Sequence, residues 1–241
     1  MRNNTSINVG TLILTKKADK EFNFFGSIFD SLKGKTKHLV ESVKTFINNK
    51  LDKCVSLSQI TQSYPQEWFE CLGFKESPKE RTLYRDLERI GINYSFIIEK
   101  YQQLLKQKNL IDNKQFIDFS SAYFEGGKAE LGELGYSRDG QPGKKQITFG
   151  VETGINGIPT GLTIQKGNVQ DKKHMKVMIK IAGKILDKGS LLIFDCGGNT
   201  EKNKEKIIEL GFNYLTLKPR HRETYKRYIE IYKKSSKEVI Y

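Results

Sequence analysis

The hydrophobic pattern divides the chain near residue 112. Beyond it, short apolar runs alternate with amphipathic stretches. "QFIDFS" reads as a strand and is followed by a Gly/Pro-rich basic loop, "GYSRDGQPGKKQ". "ITFGVET" and "TGLTIQ" are two more strands. The Asn156-Gly157 turn between them makes a hairpin, because Asn-Gly adopts the positive φ that tight hairpin turns require. After "GNVQD", with Asp171 as a predicted N-cap, comes a helix over "KKHMKVMIKIAGKIL". Its apolar face is Met175, Met178, Ile179, Ala182, Ile185 and Leu186. "LLIFD" is a short buried strand, "NTEKNKEKIIELG" a helix stopped by Gly211, and "FNYLTLK" a final strand. The order strand, strand, strand, helix, strand, helix, strand predicts a mixed α/β sheet whose first three strands form a meander.

The first half reads as mainly helical. "TLILT" suggests an edge strand, and "FNFFGSIFDSL" is apolar around Gly26. "TKHLVESVKTFINNKL" carries Leu39, Val43, Phe46 and Ile47 at helical spacing. "SLSQ" puts Ser56 and Gln59 in capping-box register, and "SPKE" does the same with Ser77 and Glu80, with Pro78 at the first helical position. The following helix, "KERTLYRDLERI", places Leu83, Leu87 and Ile90 on one face and Arg81, Arg85 and Arg89 on another. A short helix, a turn and a second helix with a basic stripe is the layout of a DNA-binding module. The same stripe also suits a core helix with a solvated face. One more helix, from about Tyr94 to Lys108, leads to a boundary in "NLIDNKQ". The predicted domains are residues 1–111, helical and DNA-binding, and 112–241, the sheet.

Charge sharpens this reading. The 241 residues contain 41 Lys plus Arg against 28 Asp plus Glu, a net charge of +13. Such a surplus suits a polyanionic partner, above all nucleic acid, and also occurs simply as a solubilising surface. No apolar run is long enough to span a bilayer, so no membrane association is expected, and no signal peptide is evident. Cys54, Cys71 and Cys196 are scattered, with no zinc-ligand spacing. They read as reduced thiols of a cytoplasmic protein.

Two acids stand out. Asp118 interrupts the apolar run "FIDFS", and Asp195 closes "LLIFD". An ionised carboxylate in a strand is costly without compensation. If the first and fourth strands lie side by side, the two meet at one place. Close carboxylates need a cation between them, and hard divalent ions take oxygen ligands. For Asp195 a turn role before Gly197-Gly198 is the competing reading.

These residues carry a resemblance. "IDFSSAYFEG", "LGYSRDGQPGKKQITFGVETGINGIPTGLTIQKGNVQD" and "LLIFDCGGNTEKNKEKIIELGFNYLTLKPR" resemble the catalytic core of DDE transposases of prokaryotic insertion sequences, of the insertion-sequence-four type. The likeness covers Phe116 to about Arg220. It implies an RNase H-like fold preceded by a helical region. It also implies Asp118 and Asp195 as the first two catalytic, metal-holding acids, and Mg²⁺, or Mn²⁺ in its place, as cofactor. The implied chemistry is cleavage and transfer of strands of double-stranded DNA, at element ends and target, by a protein dimeric when full length. Arg138, Lys144 and Lys145 of the basic loop would then lie near DNA; a solvated loop is the alternative.

The family's third acid is a Glu on a later helix, beyond a strand-rich insertion. Here only Glu230 in "YKRYIEIYKK" offers itself, without the family's Arg at the right spacing, and it reads as an exposed helix residue. The core is therefore expected to be incomplete at its C-terminus and transposition impaired. The competing expectations are a non-catalytic DNA-binding fragment that regulates transposition, and an RNase H-like nuclease. Glu125 reads as a surface residue, His174 as an exposed helix residue, and Cys196 as a small buried one.

Overall fold

A computed structural model describes residues 7–30, 32, 37–126, 129–136, 140–217 and 222–234. The chain divides into two compact units, residues 1–110 and 111–241.

The first unit is built from helices: α1 (Gly10–Phe22), α2 (Phe24–Phe29), α3 (Leu39–Leu51), α4 (Ile60–Ser63), α5 (Gln66–Cys71), α6 (Glu80–Ile92) and α7 (Tyr94–Gln107). One apolar cluster gathers Leu12, Ile60, Tyr64, Trp68, Phe69, Phe74 and Leu83; Tyr64 stacks on Trp68 at 3.9 Å between ring centroids. A second gathers Phe25, Ile28, Phe29, Leu39, Val40, Val43 and Leu104. The predicted capping box is present: the Gln59 side chain accepts from the Ser56 backbone N–H, and the Ser56 side chain is bonded in return. It opens a 3-10 turn, Leu57–Gln59, ahead of α4.

Three local expectations are corrected. "TLILT" is helical, the first turns of α1: Leu12 packs into the Trp68 cluster, while Ile13 and Leu14 are exposed. Helix α6 starts at Glu80 with Lys79 as N-cap, so Ser77 and Pro78 lie outside it. Its buried face is Leu83 with Asp86, not Leu87, which is 46% exposed. Asp86 is tolerated inside because Ser42 Oγ donates to its Oδ2 at 2.5 Å, supplying the partner a buried carboxylate requires.

The second unit is a six-stranded mixed sheet: β1 (Lys114–Tyr123), β2 (Glu133–Leu134), β3 (Lys145–Gly154), β4 (Pro159–Lys166), β5 (Leu191–Phe194) and β6 (Asn213–Thr216). Helix α8 (Asp171–Ile185) follows β4, α9 (Glu201–Glu209) joins β5 to β6, and α10 (Arg222–Lys234) comes last. Strands β4, β3 and β1 are antiparallel neighbours; β1, β5 and β6 run parallel. The short β2 pairs with the start of β3. An antiparallel meander continued by two parallel strands through helical crossovers is the RNase H-like arrangement. The expected α/β class is found, and the expected strand order too except for the short β2, which the sequence pattern did not predict.

Residue parity decides what each face does. Ile117 and Phe119 of β1, with Leu192 and Phe194 of β5, point to the side covered by α8. There they pack with Met175, Met178, Ile179 and Ala182. Burying such side chains contributes roughly 1.5–3 kcal/mol each. Gly150 of β3 lets α8 come this close: a β-carbon there would stand 2.9 Å from the Phe119 ring and 3.0 Å from Met178 Sδ. On the opposite face the partners are Phe116, Ile193 and Leu215. Phe116 is 46% and Leu215 59% exposed. By the same alternation Asp118 belongs to this second face.

Candidate metal and nucleic-acid site

The last parallel pair between β1 and β5 is Ile117 with Phe194. The next residue on each strand is an aspartate, Asp118 and Asp195. Both are exposed, and Asp118, alternating with the buried Ile117 and Phe119, leaves the sheet on the face away from α8. Neighbouring strands lie ~4.8 Å apart, so carboxylates at adjoining register positions come within reach of one ion. β1 runs on to Tyr123 in partnership with β3, whereas β5 stops at Phe194 and the chain turns, Asn199 N–H donating to Cys196 O. Asp195 therefore stands at a strand end, where a parallel sheet opens toward ligands.

Local bonds hold each acid. Asp118 Oδ1 accepts from the Phe119 N–H at 2.8 Å, and Asp195 Oδ1 from the Gly197 N–H at 2.9 Å. Thr216 Oγ1, from β6, donates to the Asp195 carbonyl at 3.0 Å and ties the strand end down. A third carboxylate comes near, one that sequence reading assigned to capping in preference to a metal pair with His174. A β-carbon on Gly197 would stand 2.7 Å from Asp171 Oδ2 and 3.1 Å from Asp195 Oδ1. Gly197 thus separates two carboxylates that a larger residue would push apart. Asp171 is the first residue of α8 and Gln170 its N-cap, so the predicted cap moves by one. The signal for Asp171 was its place between Gly167 and the α8 apolar stripe, which says nothing of distance to Asp195.

The donor set suits a hard ion. Mg²⁺ commonly takes one or two carboxylates, with waters and substrate phosphates completing its shell. Among the described residues no group of three or more His, Cys, Asp or Glu is arranged to hold a metal. Two carboxylates alone would leave most of such an ion's shell to water or a substrate.

The predicted basic residues fare unequally. Arg81 and Arg85 are exposed on α6. Arg89 is not part of a free stripe: its guanidinium donates to the Leu32 carbonyl at 2.9 Å, inside the same helical unit. Lys144 pairs with Glu125 Oε1 at 2.7 Å and lies over the Tyr123 ring at 4.6 Å. Glu125 is therefore a surface partner of Lys144. Lys145 opens β3 and is exposed. Arg138 lies outside the described residues. Glu230 is exposed on α10, as expected.

Two minor expectations are reversed. His174 is fully buried, with Nε2 2.6 Å from Thr163 Oγ1 and its ring 5.0 Å from that of Phe119. It sits on the sheet-facing side of α8, next to Met175 and Met178, and is core. Cys196 is exposed, because it lies in the turn beyond β5 rather than in the strand.

Sequence reading missed Glu152. It lies on β3 facing α8, fully buried, with neither carboxylate oxygen hydrogen-bonded. Burial pushes its pKa up to about 8. The only signal was a lone acid in "FGVETG" at a position alternating with exposed-side residues.

Fold and site together define an RNase H-like domain with one carboxylate, Asp118, within the central strand β1 and another, Asp195, just past the end of its parallel neighbour β5. Among solved structures, the chain is similar to the Mos1 transposase paired-end complex with left transposon end. Identity is 11%, over 83% of this chain and 72% of that one, with a TM-score of 0.31. It is also similar to the Mos1 strand transfer complex, at 11% identity over the same shares and a TM-score of 0.30. No family model matches the chain, and no curated protein does.

Proposed function

We propose that the chain is a DNA-binding protein of the transposase class, of the insertion-sequence-four type, acting on phosphodiesters of double-stranded DNA at Asp118 and Asp195. The observation that supports this reading is the register of β1 against β5, whose last pair, Ile117 with Phe194, is followed on each chain segment by an aspartate. The resemblance over Phe116 to Arg220 and the net charge of +13 support it. Asp118 and Asp195 would hold Mg²⁺ or Mn²⁺. Such an ion, when bound, polarises a phosphate and lowers the pKa of an attacking water. The chain's own part is to fix two acceptor-only oxygens. Asp118 is oriented by the Phe119 N–H, and Asp195 by the Gly197 N–H and the Thr216 tie. Arg81, Arg85, Lys145 and Arg138 would contact DNA phosphates, with Lys144 available once its pair with Glu125 opens.

The test is Mn²⁺ binding by titration calorimetry to the wild type and to Asp118→Asn with Asp195→Asn. Loss of binding in the double variant supports the site; unchanged Mn²⁺ affinity sinks it. A second reading, DNA binding without cleavage, is favoured by one observation: no third acid joins a metal-holding group among the described residues. It predicts salt-dependent duplex binding and no nicked product in Mn²⁺.

A further inference from the structure

Helix α9 carries a side chain that no sequence pattern singles out. Asn203, fully buried near its start, donates from Nδ2 to backbone carbonyls of two different segments. One is Lys172 O at 3.1 Å, in the first turn of α8 next to Asp171. The other is Gly198 O at 2.9 Å, in the turn that follows Asp195. We propose that Asn203 is a positioning residue of the candidate metal site, clamping these two segments so that Asp171 stays against Asp195. The proposal rests on the functional reading above.

The need for a clamp follows from charge. Asp171 Oδ2 and Asp195 Oδ1 both lie around the Cα of Gly197, and two ionised carboxylates so placed repel. The missing β-carbon of Gly197 permits their approach but does not enforce it. The bonds of Asp195 run to its own turn, through the Gly197 N–H, and to Thr216 of β6. Among the described residues none of them reaches α8. The Asn203 amide supplies the polar link from that turn to α8. Asp171 held this way adds its charge to the field at an ion carried by Asp118 and Asp195, without being a direct ligand. Groups outside the ligand set tune metal affinity in this manner.

The bonding of Asn203 is one-sided. Its amide nitrogen makes both donations, while Oδ1 is buried with no hydrogen-bond partner. A buried acceptor left unmatched is unfavourable, so the two donations set where this side chain sits. Its own helix is anchored behind it. The Asn203 backbone N–H donates to Oγ1 of Thr200, the N-cap of α9, at 3.2 Å. Ile207, further along α9, packs into the same apolar core as Met175 of α8. The turn after Asp195 also lies tight on that core: a β-carbon on Gly198 would stand 3.1 Å from the Phe194 ring and 3.3 Å from Met175 Cγ. A fixed helix thus presents two donors to two segments that carry one acid each.

The test uses the full chain with Asn203→Leu, which roughly keeps the volume and removes both donors, and Asn203→Ala beside it. Gly198 O still accepts from the Thr200 N–H at 3.0 Å, and Lys172 O stays within α8, so folding does not hang on the amide. Ile207→Val, a buried change on the same helix, controls for lost stability alone. Two quantities are read: Mn²⁺ affinity by titration calorimetry, and the Gly197 amide resonance of the metal-free protein, whose N–H donates to Asp195 Oδ1. Both Asn203 variants are expected to weaken Mn²⁺ binding about tenfold and to shift the Gly197 resonance, and Ile207→Val to change neither. In an Asp171→Asn background, Asn203→Leu is expected to have no further effect on Mn²⁺ affinity, because the charge it positions is already gone. Either quantity unmoved in the Asn203 variants, equal effects from Ile207→Val, or full additivity with Asp171→Asn overturns the clamp while the functional reading stands. Absence of Mn²⁺ binding by the wild type overturns both.

Discussion

At the scale of the residue, Glu152 makes the sharpest prediction. It is fully buried without a hydrogen bond to either oxygen, and its pKa is pushed up to about 8. The folded protein therefore keeps a proton that the unfolded chain releases near the ordinary value of 4.5. Between those two values the native state binds more protons than the unfolded one, so stability falls as pH rises. The loss is complete above about 8. On this basis Glu152→Gln should raise the melting temperature at pH 8. It should also flatten the decline between pH 5 and pH 8, which is on the order of 3–4 kcal/mol in the wild type. Melting curves across that range check it; a variant as pH-sensitive as the wild type would show that another group is responsible. Gly197 makes a second prediction. Its Ala variant places a methyl group between Asp171 and Asp195, and should weaken Mn²⁺ binding by roughly tenfold while leaving the far-ultraviolet circular dichroism unchanged.

At the scale of the element, α6 shows one helix doing two jobs. Arg89 is bonded inward to Leu32, whereas Arg81 and Arg85 face solvent. Removing Arg89 deletes a charged donor to a carbonyl, and Arg89→Ala should cost about 1.5–3 kcal/mol in urea unfolding. Arg81→Ala and Arg85→Ala should change stability by no more than about 0.5 kcal/mol. If these two contact phosphates, each lowers the salt slope of duplex binding by about one. Helix α8 is the opposite case, buried along one whole face. Met178 is fully enclosed by the sheet, so Met178→Ala should cost about 2–5 kcal/mol, the transfer of the side chain plus the cavity it leaves.

At the scale of the whole molecule, charge is the property that matters. With a net charge of +13, duplex binding should be strongly salt-dependent, because each neutralised phosphate releases condensed counterions. If six or more phosphates are engaged, affinity should fall by about a thousandfold or more between 50 and 200 mM salt. Fluorescence anisotropy over that range measures it, and a flat response would argue against a phosphate-dominated interface. No helix among the described residues is long and apolar enough to cross a membrane.

What the sequence determined by itself is what depends on local spacing. The hairpin over Asn156-Gly157, where Gly157 takes φ 78°, was readable because only a few residues tolerate that turn. The five core α8 positions from Met175 to Ile185 were readable because a helix repeats every 3.6 residues, whatever it packs against. Asp118 and Asp195 could be singled out because a carboxylate in an apolar run is anomalous in any fold. Their juxtaposition needed the crossover that brings β5 beside β1, and this follows from strand order, which the element pattern already implied. Tertiary structure alone decided the rest. "TLILT" is as apolar as a strand and is helix, with Leu12 in the Trp68 cluster of a distant segment. Arg89 left the basic stripe because a carbonyl from residue 32 reached it. His174 and Glu152 are inside, and Cys196 outside, for reasons set by which face α8 covers and where β5 stops. The approach of Asp171 to Asp195 across Gly197, and the Asn203 amide that spans it, join segments far apart in the chain. Periodicity is a property of neighbours along the chain, whereas distance between remote segments is set by packing the whole domain.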